Sequence, residues 1–175
     1  MKRFLFSLAL LATCVGAWAQ TRIPLLEKVP GHRVRCQYTY SVSKDGGAFS
    51  EVTKGGLEVE DNAFRLDALG LRIISDGATR WTLDDEAREA VVEAVEKEEV
   101  SANPALLISH YTDYAKDLVV NASGKDFLDV TLELDSTTRA RFFLQNIVFE
   151  EPKGKSDFSF EEKSLPKDYL VTDLR

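Results

Sequence analysis

The chain is 175 residues long, with 22 basic against 29 acidic residues, a net charge of −7 and two cysteines. A chain of this size buries about 70% of its unfolded surface, so one domain can stand on its core without staples. Nucleic acid and simple adsorption to anionic lipid are excluded as main partners, since both need basic patches and no basic run occurs.

Residues 1–19 read as a cleavable secretory signal. Lys2 and Arg3 precede an apolar run from Phe4 to Val15, and Ala17-Trp18-Ala19 supplies the small-x-small pattern of a signal-peptidase site. The run is about half of the roughly 20 residues needed to cross a bilayer as a helix. The mature chain is expected to start at Gln20, to form one domain over residues 20–175, and to lie in the bacterial periplasm. A second reading stays open. Leu11-Ala12-Thr13-Cys14 loosely matches a lipobox, and lipidation of Cys14 would anchor the protein. With Cys14 removed or lipidated, Cys36 has no internal partner for a disulfide.

The first element of the mature chain is a short helix around Ile23 to Lys28, cut off by Pro30-Gly31. Period-two alternation then dominates. Val34, Cys36, Tyr38, Tyr40 and Val42 alternate with polar or charged neighbours, which gives a strand one apolar and one polar face. The pattern recurs at Leu57 and Val59, at Phe64, Leu66 and Ala68, at Thr79, Trp81 and Leu83, and from Leu128 to Leu134. Asp45-Gly46-Gly47, Leu69-Gly70, Asp76-Gly77 and Asp135-Ser136-Thr137 are hairpin-sized connections, so the strands form an antiparallel meander. Gly55-Gly56 is expected as a turn or bulge.

Ala87 to Val95 mixes helix-favouring Ala and Glu with Val91-Val92 and is read as strand over 87–92. The acidic stretch Glu93 to Glu99 is a solvated edge or loop. Asn103-Pro104 starts a helix that runs to about residue 115, with Leu107, Tyr111 and Tyr114 on one apolar face. Ala140 to Phe149 is apolar on both sides. Phe142, Leu144 and Val148 fall on one, and Phe143, Ile147 and Phe149 on the other, so cover is expected on both. Phe158, Phe160, Leu165 and Leu170 in the tail are candidates for the outer cover.

Residues with catalytic chemistry are sparse. His32 falls in a turn and His110 on a helix surface, and no His/Cys/carboxylate spacing suits a metal. Cys36 occupies the apolar phase of its strand, as a small hydrophobe does. No Gly-x-Ser-x-Gly elbow or P-loop is present. Asp84-Asp85-Glu86 reads as a solvated hairpin tip, and the sequon Asn121-Ala122-Ser123 carries little weight in a bacterial secretory protein. The expected protein is non-enzymatic and needs no cofactor or metal.

Three segments, in order, resemble the outer-membrane lipoprotein carrier (LolA-like) family. Ile73-Ile74-Ser75-Asp76-Gly77-Ala78-Thr79-Arg80-Trp81 is similar to that family's strand, Asp-Gly turn and strand with a tryptophan. Asn103-Pro104-Ala105-Leu106-Leu107 resembles its helix start, and Phe158-Ser159-Phe160, Leu165-Pro166 and Val171-Thr172-Asp173 resemble its closing segment. The resemblance implies a mostly β, α+β fold: a curved antiparallel sheet forming an incomplete half-barrel, covered by one or two helices. It implies a periplasmic chaperone that carries acylated lipoproteins, or other lipid, from an inner-membrane donor complex to an outer-membrane acceptor during outer membrane biogenesis. An anchored acceptor or envelope sensor of the same fold is the alternative, and an enzyme with an unrecognised site ranks below both. The family's basic Lys-Arg-Pro latch is replaced here by Glu60-Asp61-Asn62.

If a lipid groove exists, the apolar-phase residues Tyr38, Tyr40, Phe64, Leu66, Trp81, Leu107, Tyr111 and Phe143 are expected to line it. The protein is expected to act as a monomer.

Overall fold

The computed structural model describes residues 23–95, 103–115 and 117–175. The signal sequence, the Cys14 lipobox and the acidic stretch beyond Val95 fall outside them. Among the described residues no helix is long and apolar enough to cross a membrane.

The described residues form ten strands: β1 (Arg33–Lys44), β2 (Ser50–Glu60), β3 (Ala63–Ala68), β4 (Leu71–Ser75), β5 (Thr79–Asp84), β6 (Glu89–Ala94), β7 (Leu118–Ser123), β8 (Leu128–Glu133), β9 (Thr138–Glu150) and β10 (Leu170–Asp173). They form one sheet in the order β10-β6-β5-β4-β3-β2-β1-β9-β8-β7. Its two edges, β10 and β7, do not pair with each other, so the sheet is open. The fold is mostly β with two short helices, α1 (Pro104–Ser109) and α2 (Tyr111–Tyr114). A 3-10 turn at Leu26–Lys28 precedes β1, where the sequence points to a short helix. Residues 89–94 are strand, as read for most of 87–92.

Directly opposed residues in an antiparallel pair share a face, so the register assigns every side chain. Val34, Cys36 and Tyr38 of β1 stand opposite Val59, Leu57 and Gly55 of β2, and Val59 and Leu57 stand opposite Phe64 and Leu66 of β3. On the other flank Tyr38 and Tyr40 meet Leu144 and Phe142 of β9, which meet Leu128 and Val130 of β8. These residues make the main core, on which Ala105, Leu107 and Ile108 of α1 and the segment from Ile23 to Val29 are seated. We call this the helix-side face.

The opposite face has a smaller core of Ile74, Trp81, Leu83, Ala90 and Val92, packed against Phe160, Leu165, Tyr169 and Val171. The C-terminal segment after β9 forms this cover as a strap. It crosses the sheet and then adds β10 to the β6 edge. The approach direction makes β10 parallel to β6, a departure from the expected all-antiparallel meander.

Four other expectations are corrected. Ala140 to Phe149 is not apolar on two faces. Asn146 adopts φ +57° and the β1–β9 register shifts there, so a bulge moves the phase by one residue. Phe142 and Leu144 before it, and Ile147 and Phe149 after it, all reach the helix-side core, while Val148 is 46% exposed. The tail accordingly covers β3 to β6 and not β9, and Leu170 is exposed.

The helix expected from Asn103 to about residue 115 is broken in two. Asn103 caps it as read, accepting from the Ala105 N–H at 3.0 Å. At His110 the backbone leaves the helical region (φ −128°, ψ 29°). Ser109 Oγ donates back to the Ala105 carbonyl at 3.1 Å and also meets His110 Nδ1 at 2.8 Å, the local competition that bends helices.

Gly55-Gly56 is neither turn nor bulge. Both residues lie inside β2, where the backbone of Asp67 comes so close to Gly55 that no Cβ fits. The strand β7 has no counterpart in the alternation pattern, because five of its six residues are exposed.

Candidate functional site

The helix-side face gathers six of the eight residues expected to line a groove. Tyr38, Phe64, Leu66 and Leu107 belong to the main core, and Tyr40 and Tyr111 pack on its margin. The four core members are at most 5% exposed, so they fill the interior and face no open space.

The other two lie elsewhere. Trp81 stands opposite Ile74 and Val92 and points to the strap side, with its ring centre 5.3 Å from that of Phe160. Phe143 is paired with Thr39 and Asp129 on the same outer side, 6.5 Å from the Phe127 ring. Both lie in the expected strands but on the other face, because alternation within one strand cannot say which face of the sheet a neighbouring strand presents.

Around the packed centre the helix side keeps a partly exposed apolar rim of Tyr40, Ile73, Leu106, Tyr111 and Tyr114. Tyr40 stacks on Phe142 at 5.0 Å. Burial raises the Tyr40 hydroxyl above its ordinary value. It pushes Tyr38 up to about 12, with the Asp67 charge adding to burial and a hydrogen bond from Thr53 opposing it. Neither phenol ionises at neutral pH in that environment. Tyr38 instead donates to the Asp67 carbonyl at 2.7 Å, tying β1 to β3 across Gly55. The Cys36 thiol is pushed up to about 12 by burial, which leaves no thiolate for nucleophilic chemistry.

Sequence reasoning missed a polar node on the strap side. Arg33 is fully buried and its Nε donates to Glu60 at 2.8 Å. Its Nη1 reaches Glu58 at 3.2 Å and also Asp157 in the strap. Glu60 accepts the Lys153 N–H at 3.0 Å and the Gly154 N–H at 2.7 Å, while Arg65 donates to the Asp157 carbonyl. The guanidinium carbons of Arg33 and Arg65 lie 4.6 and 5.2 Å from the Phe158 ring centre. Arg33 Nη2 has no acceptor among the described residues. Glu60 thus takes part in a latch after all, one that holds the C-terminal strap. The only cue in the sequence was the charge of Arg33 and Glu60 at strand ends.

A cleft of about 310 Å³ opens on the strap-side face of β7, β8 and β9, lined by Phe49, Thr131, Arg139 and Arg141 among others. A second, of about 290 Å³, lies between Arg35, Glu58, Arg65 and Arg72 on the strap side of β1 to β4. In the first, Arg141 pairs with Asp129 at 2.5 Å, and both guanidinium groups lie within 6 Å of the Phe49 ring centre. No group of His, Cys, Asp and Glu suited to a metal occurs among the described residues.

No family model matches this chain, and no curated protein matches it either.

Proposed function

We propose that the chain is a non-catalytic carrier that shelters hydrocarbon, the acyl chains of a lipoprotein or of another lipid, on the helix side of its sheet. The observation that carries this reading is the rim. Tyr40, Ile73, Leu106, Tyr111 and Tyr114 stay partly exposed around a roof made of two short helices. Each methylene kept from water is worth roughly 0.8 kcal/mol, so an acyl chain laid along such a rim gains several kcal/mol. Tyrosine suits the position because it offers an apolar ring and a polar tip.

Since Tyr38, Phe64, Leu66 and Leu107 already pack on one another, deeper binding requires α1 and α2 to move outward. The break at His110 divides the roof into two pieces able to part. The open sheet with a helical cover also suits the half-barrel of the lipoprotein carriers that the three sequence segments resemble. In that setting the cargo passes through the periplasm from an inner-membrane donor to an outer-membrane acceptor.

The test is native mass spectrometry of the secreted protein, combined with titration of a fluorescent fatty acid. Co-purifying acylated species and saturable binding are expected. Identical spectra before and after lipid extraction, with no fatty-acid binding, would remove the reading.

A further inference from the structure

Soluble proteins protect the free edges of their sheets with charges, proline, bulges or short strands, because an unpaired edge is a template for another strand. The two edges here are treated differently. At β10 the edge is four residues long, contains Asp173, and is flanked by Arg175, which pairs with it at 2.6 Å. At β7 the edge is six residues long and reads Leu118 to Ser123 without a charge. Every other strand in the described residues contains at least one charged side chain. In a chain with 29% charged residues, the uncharged strand is an edge strand.

Apolar side chains of β7 are exposed on both faces. Val119 shares the strap side with Thr131 and is 55% exposed, while Val120 shares the helix side with Val130 and is 36% exposed. No described strand lies beyond β7, so alternate N–H and C=O groups point away from the sheet. Its protective devices are Asp117, which immediately precedes the strand, and the bulge at Asn121, whose side chain turns inward to donate to Asp129 at 3.0 Å and Thr131 at 2.9 Å.

We propose that β7 is an interaction edge for a second copy of this chain, paired antiparallel about a twofold axis. The occupant follows from charge. Twofold pairing sets each strand beside its own sequence, so any charge near the axis faces its like. The chain as a whole is acidic, with a net charge of −7, and copies repel each other over most of their surface. The uncharged edge is where two copies meet without that penalty, and Val119 and Val120 gain cover on both faces. The bulge limits the regular run to Leu118–Val120, so the contact is small and the dimer weak. This partner goes beyond the monomer expected from sequence and does not depend on lipid carriage.

Sedimentation equilibrium of the secreted protein, up to on the order of hundreds of micromolar, is the experiment, in the range where small interfaces associate. A monomer–dimer equilibrium is expected. Val119→Lys and Val119→Glu, each at an exposed position, should each weaken it by about tenfold or more through like-charge contact. An equimolar mixture of the two variants should restore it, since only a contact of β7 with β7 sets Lys against Glu. Circular dichroism melts check that both variants stay folded. As an independent reading, Val119→Cys, which faces itself across the axis, should give oxidised dimers through that thiol, with the buried Cys36 left out. A monomer at every concentration overturns the proposal and leaves the edge to a strand of another protein. A dimer unaffected by both variants, or a mixture no stronger than either variant alone, also overturns it.

Discussion

At the scale of single residues, one glycine among the described residues has backbone where its side chain would go. Gly55 stands opposite Tyr38 in the β1–β2 ladder, and a methyl group there would press into the backbone carbonyl of Asp67. That carbonyl cannot move aside freely, because it accepts the Tyr38 hydroxyl at 2.7 Å. Gly55→Ala is therefore expected to lose about 1–3 kcal/mol or more, read from the urea midpoint at unchanged slope. Gly124 is the control. A methyl there meets only the ring of Phe127, a partly exposed side chain able to turn, so Gly124→Ala should cost clearly less. Cys36 gives a second prediction at this scale. It is 7% exposed and its thiol is pushed up to about 12. Iodoacetamide at pH 8 should leave it unmodified in the native protein and alkylate it in urea, read by mass. Rapid modification without denaturant would show that β1 is looser than its pairing on both sides implies.

At the scale of elements, the strap is held by a buried ionic node whose pH dependence has a fixed sign. Burial disfavours the charge on Glu60, but the Lys153 N–H, the Arg33 guanidinium and the Gly154 N–H outweigh it and hold the carboxyl below its usual range. Asp157 is held low as well, chiefly by Arg33. A carboxyl with a lowered folded-state pKa binds fewer protons folded than unfolded. Its contribution is complete above the ordinary carboxylate value near 4.5 and is lost as pH falls through the folded value. The strap should therefore loosen as pH falls below the ordinary carboxylate range, with Trp81 losing Phe160. Trp81 emission in a chain starting at Gln20, which lacks Trp18, followed from pH 7 to pH 2.5, should shift red before the far-ultraviolet signal of the sheet collapses. Glu60→Gln should bring that shift to neutral pH at a cost of about 1.5–3 kcal/mol, as for a lost hydrogen bond to a charged group.

The same scale shows what the amino-acid order makes legible. Alternation with small turns is a local signal, and it marks β1, β2, β3, β5 and β8 because each turns its apolar side chains to one face. The Asn103 cap is equally local. Three features are not. The Asn146 bulge is invisible because Phe142 to Phe149 is apolar in both phases, so nothing in the pattern marks where the register slips. The edge strand β7 buries one residue of six and so has no alternation to read. The parallel β10 pairs with a strand 81 residues back (Leu170 with Glu89) and the Arg33 latch with Asp157, 124 residues on, which no window of pattern contains.

At the scale of the whole molecule, one open sheet separates two cores with different lids. The helix-side core is roofed by α1 and α2 and bordered by half-exposed tyrosines; the strap-side core is closed by the C-terminal segment. Any ligand on one side leaves the other side's contacts intact, because the backbone layer lies between them. That makes Trp81 a discriminating residue, since alternation alone grouped it with Tyr38 and Leu66 although it faces the strap. Trp81→Ala removes a side chain that is 5% exposed and should cost about 3–5 kcal/mol in stability. Fatty-acid affinity at a temperature where the variant remains folded should stay within about twofold, because the ring does not touch the helix side. Tyr111→Asp is the reciprocal change. It places a charge on the rim at a partly exposed position, so stability should fall by about 1 kcal/mol or less while affinity falls about tenfold or more. Were Trp81→Ala to abolish binding and Tyr111→Asp to spare it, the ligand would belong under the strap, and α1 and α2 would be a plain cover for a filled core.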